Sequence, residues 1–271
     1  MTGLVRYDVG RELATVTLDS PHNRNALSAQ LVAELSARLG EAGADRGVRA
    51  VVLTHTGRVF CSGADLAAAG TGSIGDAGTA IVALLRLIVE LPKPVIAQIA
   101  GHVRAGGMGI VGACDLAVAA GGASFAFTEA RIGVAPAMIS LTTLDIADPR
   151  QVARYYLTGE TFGAPEAARL GLVTAACAGS ELDAVVGGLV AQILQTSPQG
   201  AAETKKLLTA ARRQRLEVQG PEMAALSARL FASQEAQEGI RAFLEKREPA
   251  WRAAQALRPG QVGRDLDDAG A

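Results

Sequence analysis

Aromatic side chains are scarce in this chain, at 4% of 271 residues, with a single Trp. A core short of large rings has to be filled by aliphatic side chains and closely spaced backbones, and the 31 glycines fit that requirement. Charge of one sign is also lacking: the formal net charge is −1. That balance gives no electrostatic reason to expect nucleic acid or an anionic membrane as a partner. The three cysteines, Cys61, Cys114 and Cys177, are odd in number and scattered, which argues against a disulfide framework. His22, His55 and His102 stand apart, with no partner at metal-ligand spacing, so no metal is expected. No apolar run is long enough to span a bilayer, and no stretch has the pattern of a signal peptide. A cytoplasmic location is the resulting expectation.

What is there reads as an α/β chain. Leu4 to Asp8 and Leu13 to Leu18 alternate like a hairpin around Gly10-Arg11. Ser28 sits where it would cap a helix carrying Leu31, Leu35 and Leu39. Val48 to Thr54 reads as a buried strand, Gly70 to Gly78 as a loop, and Thr79 to Glu90 as a helix. Pro92 and Pro94 end that helix and introduce the strand Val95 to Ile99. Leu116 to Ala119 and Ser124 to Phe127 read as further strands. From Leu182 the pattern is helical, with one helix ending at Leu194, one after Ser197-Pro198, one after Pro221 and a last one holding Ile240, Phe243 and Leu244. The expected division is a core over 1–195, a helical region over 196–258 and a disordered tail over 259–271. No internal sequence repeat is evident.

Two turns carry the chemistry. Phe60-Cys61-Ser62-Gly63-Ala64-Asp65-Leu66 and Ala105-Gly106-Gly107-Met108-Gly109 each follow an apolar, β-branched segment and pass through small residues. Small residues let the backbone approach a ligand, and unpaired N–H groups at a helix start attract negative charge. Two such turns can aim two N–H groups at one oxygen, forming an oxyanion hole.

Taken together with Leu18-Asp19-Ser20-Pro21-His22-Asn23-Arg24-Asn25-Ala26-Leu27-Ser28, Lys93-Pro94-Val95-Ile96-Ala97, Ala113-Cys114-Asp115-Leu116-Ala117, Phe127-Thr128-Glu129, Leu157-Thr158-Gly159-Glu160 and Phe243-Leu244-Glu245-Lys246-Arg247, these segments resemble the crotonase superfamily, the enoyl-CoA hydratase/isomerase family. The match runs across nearly the whole chain. It implies a crotonase-like spiral of ββα units with a helical C-terminal trimerisation region, assembled as a homotrimer or hexamer. It implies an acyl-CoA thioester as substrate and no cofactor beyond the coenzyme A that the substrate carries. By position, the oxyanion donors are the backbone amides of Ala64 and Gly106. The CoA moiety is expected along His22, Asn23, Arg24 and Ala26, and along Arg58, Ser62, Gly63, Asp65 and Leu66. Lys246, reaching across from a neighbouring subunit, is a further phosphate contact to expect.

Hydratases of this family hold and activate water with two glutamates. The second is present as Glu129, the expected acid/base. Gly109 occupies the position of the first. An apolar setting would raise the Glu129 pKa, whereas pairing with Arg131 or Arg104 would lower it. Asp145 is a conceivable second carboxylate, though a surface or capping role suits it better. Hydration of a 2-enoyl-CoA is the leading expectation. A Δ3,Δ2-enoyl-CoA isomerase using Glu129 alone, or an acyl-CoA-binding protein without turnover, are the alternatives.

Overall fold

The structure, a computed structural model, describes residues 3–66 and 74–253. Among the described residues, ten strands form two sheets. The larger runs β1 (Val5–Gly10), β2 (Leu13–Leu18), β3 (Ala50–His55), β5 (Val95–Ile99), β7 (Leu116–Ala120) and β10 (Ala175–Cys177), in that order across the sheet. The smaller runs β4 (Val59–Cys61), β6 (His102–Arg104), β8 (Ser124–Ala126) and β9 (Phe162–Gly163). Helices α1 (Ala29–Ala44), α2 (Ile74–Glu90), α3 (Gly106–Ala113), α4 (Ala137–Thr143), α5 (Pro149–Thr158) and α6 (Ala164–Arg169) alternate with them. Helices α7 (Leu182–Leu194), α8 (Pro198–Phe231), α9 (Gln234–Leu244) and α10 (Ala250–Ala253) complete the described chain.

The order strand, strand, helix repeats: β1-β2-α1, β3-β4-α2, β5-β6-α3. Each later unit places a longer strand in the first sheet and a three-residue strand in the second. The repeat is one of structure, which is why no sequence periodicity betrays it. The hairpin β1-β2 pairs Val5 with Leu18 and Gly10 with Leu13. Its turn falls on Arg11 and Glu12, both at positive φ (50° and 64°), the twist a tight hairpin demands. Ser28 caps α1 by accepting the Leu31 amide at 3.2 Å.

The larger sheet is covered on both faces at its centre, so β3, β5 and β7 are mostly apolar there. Val95, Ala97 and Ile99 face the main core with α1, α2 and α3, while Ile96, Val52 and Val118 face Val186 and Val190 of α7. Two sequence expectations are corrected. Helix α2 starts at Ile74 rather than Thr79, inside the segment read as a loop; of that loop, residues 70–73 lie outside those described. Pro221 begins no helix: α8 runs unbroken through it for 34 residues. A mid-helix proline costs about 3 kcal/mol. Packing of α8 against α2 and α4 opposes that cost. Arg86 of α2 also donates to the Leu216 carbonyl at 3.0 Å, beside the interruption. The tail 259–271, read as disordered, lies outside the described residues.

Helix α8 is tied inward by two buried cations. Lys205, 4% exposed, pairs with Asp115 at 2.7 Å and donates to the carbonyls of Ile88 (2.9 Å) and Lys93 (3.0 Å). Arg212 pairs with Asp145 at 2.9 Å and donates to the Gly112 carbonyl at 3.0 Å, the C-terminal end of α3. Replacing Lys205 by Met should leave Asp115 buried without its ion-pair partner and lower unfolding stability by about 3–5 kcal/mol. A urea titration checks this; a midpoint within error of the parent would contradict it.

Candidate active site

Three short parallel strands, β4, β6 and β8, end on the same side of the smaller sheet. Ligand sites in open α/β sheets gather at the carboxyl ends of strands. From β4 the chain enters Gly63-Ala64, from β6 it enters Ala105-Gly106, and from β8 it enters Glu129. The Ala105 amide donates to the Ala126 carbonyl at 3.1 Å, and the Leu27 amide to the Gly63 carbonyl at 2.8 Å, so the segments are stitched at their roots.

The two small-residue turns are in contact. A Cβ added at Gly63 would lie 2.6 Å from Ala105 Cβ and 3.1 Å from the Gly106 nitrogen. One added at Gly106 would lie 2.8 Å from Leu27 Cδ1 and 3.8 Å from the Ala64 nitrogen. Glycine at both positions is therefore what lets the Ala64 and Gly106 amides approach. Gly106 is the first residue of α3, where no helical acceptor is available and no side chain caps the end. Among the described residues neither amide has a backbone acceptor. The chain before α3 is strained: Ala105 holds φ 46° and ψ −122°, a conformation suited to glycine.

Glu129 opens a 3-10 turn, Glu129–Ile132, and is 9% exposed. Its Oε2 is buried without a hydrogen-bond partner. Burial pushes the carboxyl from its ordinary 4.5 up to about 7, against a smaller opposing backbone hydrogen bond. Neither candidate arginine pairs with it. Arg131 donates to the Thr158 carbonyl at 2.9 Å, and Arg104 to the Ser124 carbonyl and hydroxyl at 2.7 and 2.8 Å.

Gly109 lacks more than a carboxylate; it lacks room for a side chain. A Cβ there would stand 2.8 Å from Ile139 Cγ2 and 3.4 Å from Ile139 Cα, and Thr142 closes the same contact by donating to the Gly109 carbonyl at 2.9 Å. Asp145 does not substitute, because Arg212 and Arg215 engage its two oxygens at 2.9 and 3.2 Å. The Cys61 thiol, fully buried, is pushed up to about 12 by desolvation and is no nucleophile.

The loop expected to meet CoA is joined to the first turn. The Ser62 amide donates to the Arg24 carbonyl at 3.2 Å, and a lone bridge links Leu27 to Ala64. This brings His22, Asn23, Arg24 and Ala26 beside Ser62, Gly63, Asp65 and Leu66. His22 and Arg24 are exposed, Asn23 is half-buried and Ala26 is buried. Arg58 is exposed at the opposite end of β4 from Gly63, next to the Pro21 loop, where Pro21 packs on Gly57. Lys246 follows α9 in a left-handed turn (φ 55°) and is exposed, outside this group.

Three residues shape the site without being candidates for catalysis or for CoA contact. Asn25, fully buried, accepts from the Ser20 amide at 2.7 Å and donates to the Val59 and Thr56 carbonyls at 2.8 and 3.2 Å, holding the loop to β4. Two successive left-handed residues, Arg24 and Asn25, shape it; an Asn in a loop is the weak signal available. Leu27 and Ile139 act by shape, which a sequence does not display. Among the described residues, no three His, Cys, Asp or Glu side chains gather as a metal site.

Two tests follow from this geometry. Between pH 4.5 and about 7 the folded protein holds a Glu129 proton that the unfolded chain has released, so stability falls as pH rises through that window. Glu129→Gln should therefore be more stable than the parent at about pH 8, by on the order of 3 kcal/mol, with the gap closing below about pH 4 in urea titrations. Ala105→Gly should relieve backbone strain and raise stability by about 1 kcal/mol; a lower Tm would show that Ala105 is unstrained.

Comparison with known proteins identifies the family. The family model described as enoyl-CoA hydratase/isomerase matches residues 8–254. A crystal structure of an enoyl-CoA hydratase from Mycobacterium avium superposes with a TM-score of 0.86 at 52% identity, covering 93% of this chain and 100% of that one. A Rhodobacter capsulatus protein named "Probable enoyl-CoA hydratase" is 35% identical, over 90% of this chain and 96% of its own length. The (E)-benzylidenesuccinyl-CoA hydratase of Thauera aromatica is 30% identical, over 92% and 96% respectively. With a family match over residues 8–254 and relatives similar over their whole length, this chain belongs to the enoyl-CoA hydratase/isomerase family of the crotonase superfamily.

Proposed function

We propose that the protein hydrates a 2-enoyl-CoA, with the Ala64 and Gly106 amides holding the thioester oxygen and Glu129 as the acid/base. The observation that carries this reading is the buried, unpaired Glu129 carboxylate at the end of β8, beside the strand ends that supply the two amides. Donors fixed before reaction stabilise the charge that develops on the thioester oxygen as C3 is attacked. Glu129 takes a proton from water as the water oxygen bonds to C3, and returns that proton to C2 as the enolate collapses. One carboxyl group thus serves first as base and then as acid, and a pKa near the working pH suits both roles.

His22, Asn23, Arg24, Ala26, Arg58, Ser62, Gly63, Asp65 and Leu66 would carry the CoA moiety, and Lys246 would contribute from a neighbouring subunit of a homotrimer. No metal or redox group enters this scheme. Among the described residues no helix is long and apolar enough to cross a membrane.

One observation favours a second reading. A Cβ at 109 would stand 2.8 Å from Ile139 Cγ2, so that position supplies no second carboxylate. Moving a proton from C2 to C4 of a 3-enoyl-CoA needs only one base, and the same three residues would perform that isomerisation.

Purified protein assayed with crotonyl-CoA and with a 3-enoyl-CoA, beside Glu129→Gln, separates these readings. The variant should lose about 10²–10⁴ in kcat/KM on the substrate that is turned over. In the parent, kcat/KM should rise with pH through a midpoint near 7, because only the ionised carboxylate accepts a proton. Equal rates from parent and variant on both substrates would leave binding without turnover.

A further inference from the structure

Among the described residues no side chain holds the Glu129 Oε2, so the aim of this carboxylate depends on the backbone that carries it. The 3-10 turn bearing Glu129 is gripped from two sides. On one side, Arg131 reaches the Thr158 carbonyl at the end of α5. On the other lies α9, more than a hundred residues along the chain. The approach is backbone to backbone. A Cβ added at Gly239 of α9 would fall 2.5 Å from the Ile132 carbonyl oxygen and 2.7 Å from Ile132 Cα. A Cβ added at Gly133, which closes the turn at φ 78°, would fall 2.8 Å from the Glu235 carbonyl. Ala236, Gly239 and Ala242 form the buried face of α9, so nothing larger than a methyl group separates the helix from the turn.

The helix is itself anchored at both ends. Ser233 caps its start, accepting the Ala236 amide at 3.2 Å. Past its end, Arg247 clamps Glu238 through both terminal nitrogens at 2.6 and 2.9 Å, and the Ala250 amide joins the same carboxylate at 3.0 Å. A fixed rod pressed on a short turn determines where that turn sits.

We propose that α9 positions Glu129, with Gly239 as the positioning residue, an inference that rests on the catalytic reading of Glu129. Gly239→Ala in the full chain provides the test. In an isolated helix this change is favourable, because alanine is the better helix former. Here the added methyl must displace the Ile132 carbonyl, and with it Glu129. The expected result is a kcat lower by about 10- to 100-fold with KM within about twofold, as for a misplaced reacting group. Gln237→Ala, on the exposed face of the same helix, should match the parent. Should Gly239→Ala not fold, Ala236→Gly with Ala242→Gly loosens α9 without adding an atom, and should likewise lower kcat at constant KM.

A readout without turnover keeps the two proposals distinct. Infrared difference spectra, with Glu129→Gln as the blank, should show the Glu129 carboxyl band displaced in Gly239→Ala. A displaced band in a protein whose parent turns over no enoyl-CoA would sink the catalytic reading and keep the positional one. An unchanged band, or a folded Gly239→Ala variant with the parent's kcat, overturns the proposal.

Discussion

The ends of β4 and β6 come so close that no side chain fits between them, and the site depends on that contact. With glycine at 63 and at 106, the two turns meet backbone to backbone, and the Ala64 and Gly106 amides become neighbours. The same economy of volume runs through the interior. Helix α3 is buried almost all round, and it lies so near β4 that a Cβ at Gly107 would reach 2.8 Å from Cys61 Cβ. A chain this poor in aromatics and rich in glycine can build a core in which main chains stand against one another. Amides placed that way are rigid, because the packing that brings them together also prevents them from turning. Under the proposed reaction, donors held this way would lose little reorganisation energy as charge appears on the thioester oxygen.

Ala105 shows what this rigidity demands. Its φ and ψ are those of a glycine, yet it carries a methyl group, and that methyl faces Gly63. Strain at such a point persists only where the surroundings over-determine the backbone. Here the Ala126 carbonyl holds the Ala105 amide, the Met108 amide holds the Ala105 carbonyl at 2.8 Å, and Gly63 blocks the methyl. The strained link is therefore part of how the second amide is aimed.

Local features were legible in the sequence. The alternation of β1 and β2, the Ser28 cap and the Pro92-Pro94 break are short-range signals with short-range causes. The two turns and Glu129 could be picked out by residue type and by resemblance. What could not be read depends on partners distant in the chain. Pro221 looks like a helix boundary, and only the packing of α2 and α4 on α8 overrides it. The strands of the smaller sheet are three residues or fewer, too short for a period to appear. Gly109 reads as a missing glutamate, whereas the structure makes it a required gap for Ile139. The contact of Gly239 with Ile132 has no sequence signal at all.

Three buried or nearly buried carboxylates allow a direct comparison of environments. Asp115 is met by the Lys205 ammonium and the Val95 amide, and Asp145 by two guanidinium groups. Each of these is a tie between α8 and the core, and each is an ion in company. Glu129 has the burial without the company. For Asp115 too, desolvation favours the neutral form, but a cation at 2.7 Å works against it. At Glu129 only a weak backbone bond does so, and the carboxyl remains poised near neutrality. Carboxylates of the first kind hold helices in place. One of the second kind destabilises the fold whenever it is ionised, and gains that energy back when something with a proton to share arrives beside it. Under the proposed reaction the contrast is one of partners: Asp115 and Asp145 each meet a cation, whereas among the described residues the Glu129 Oε2 meets none.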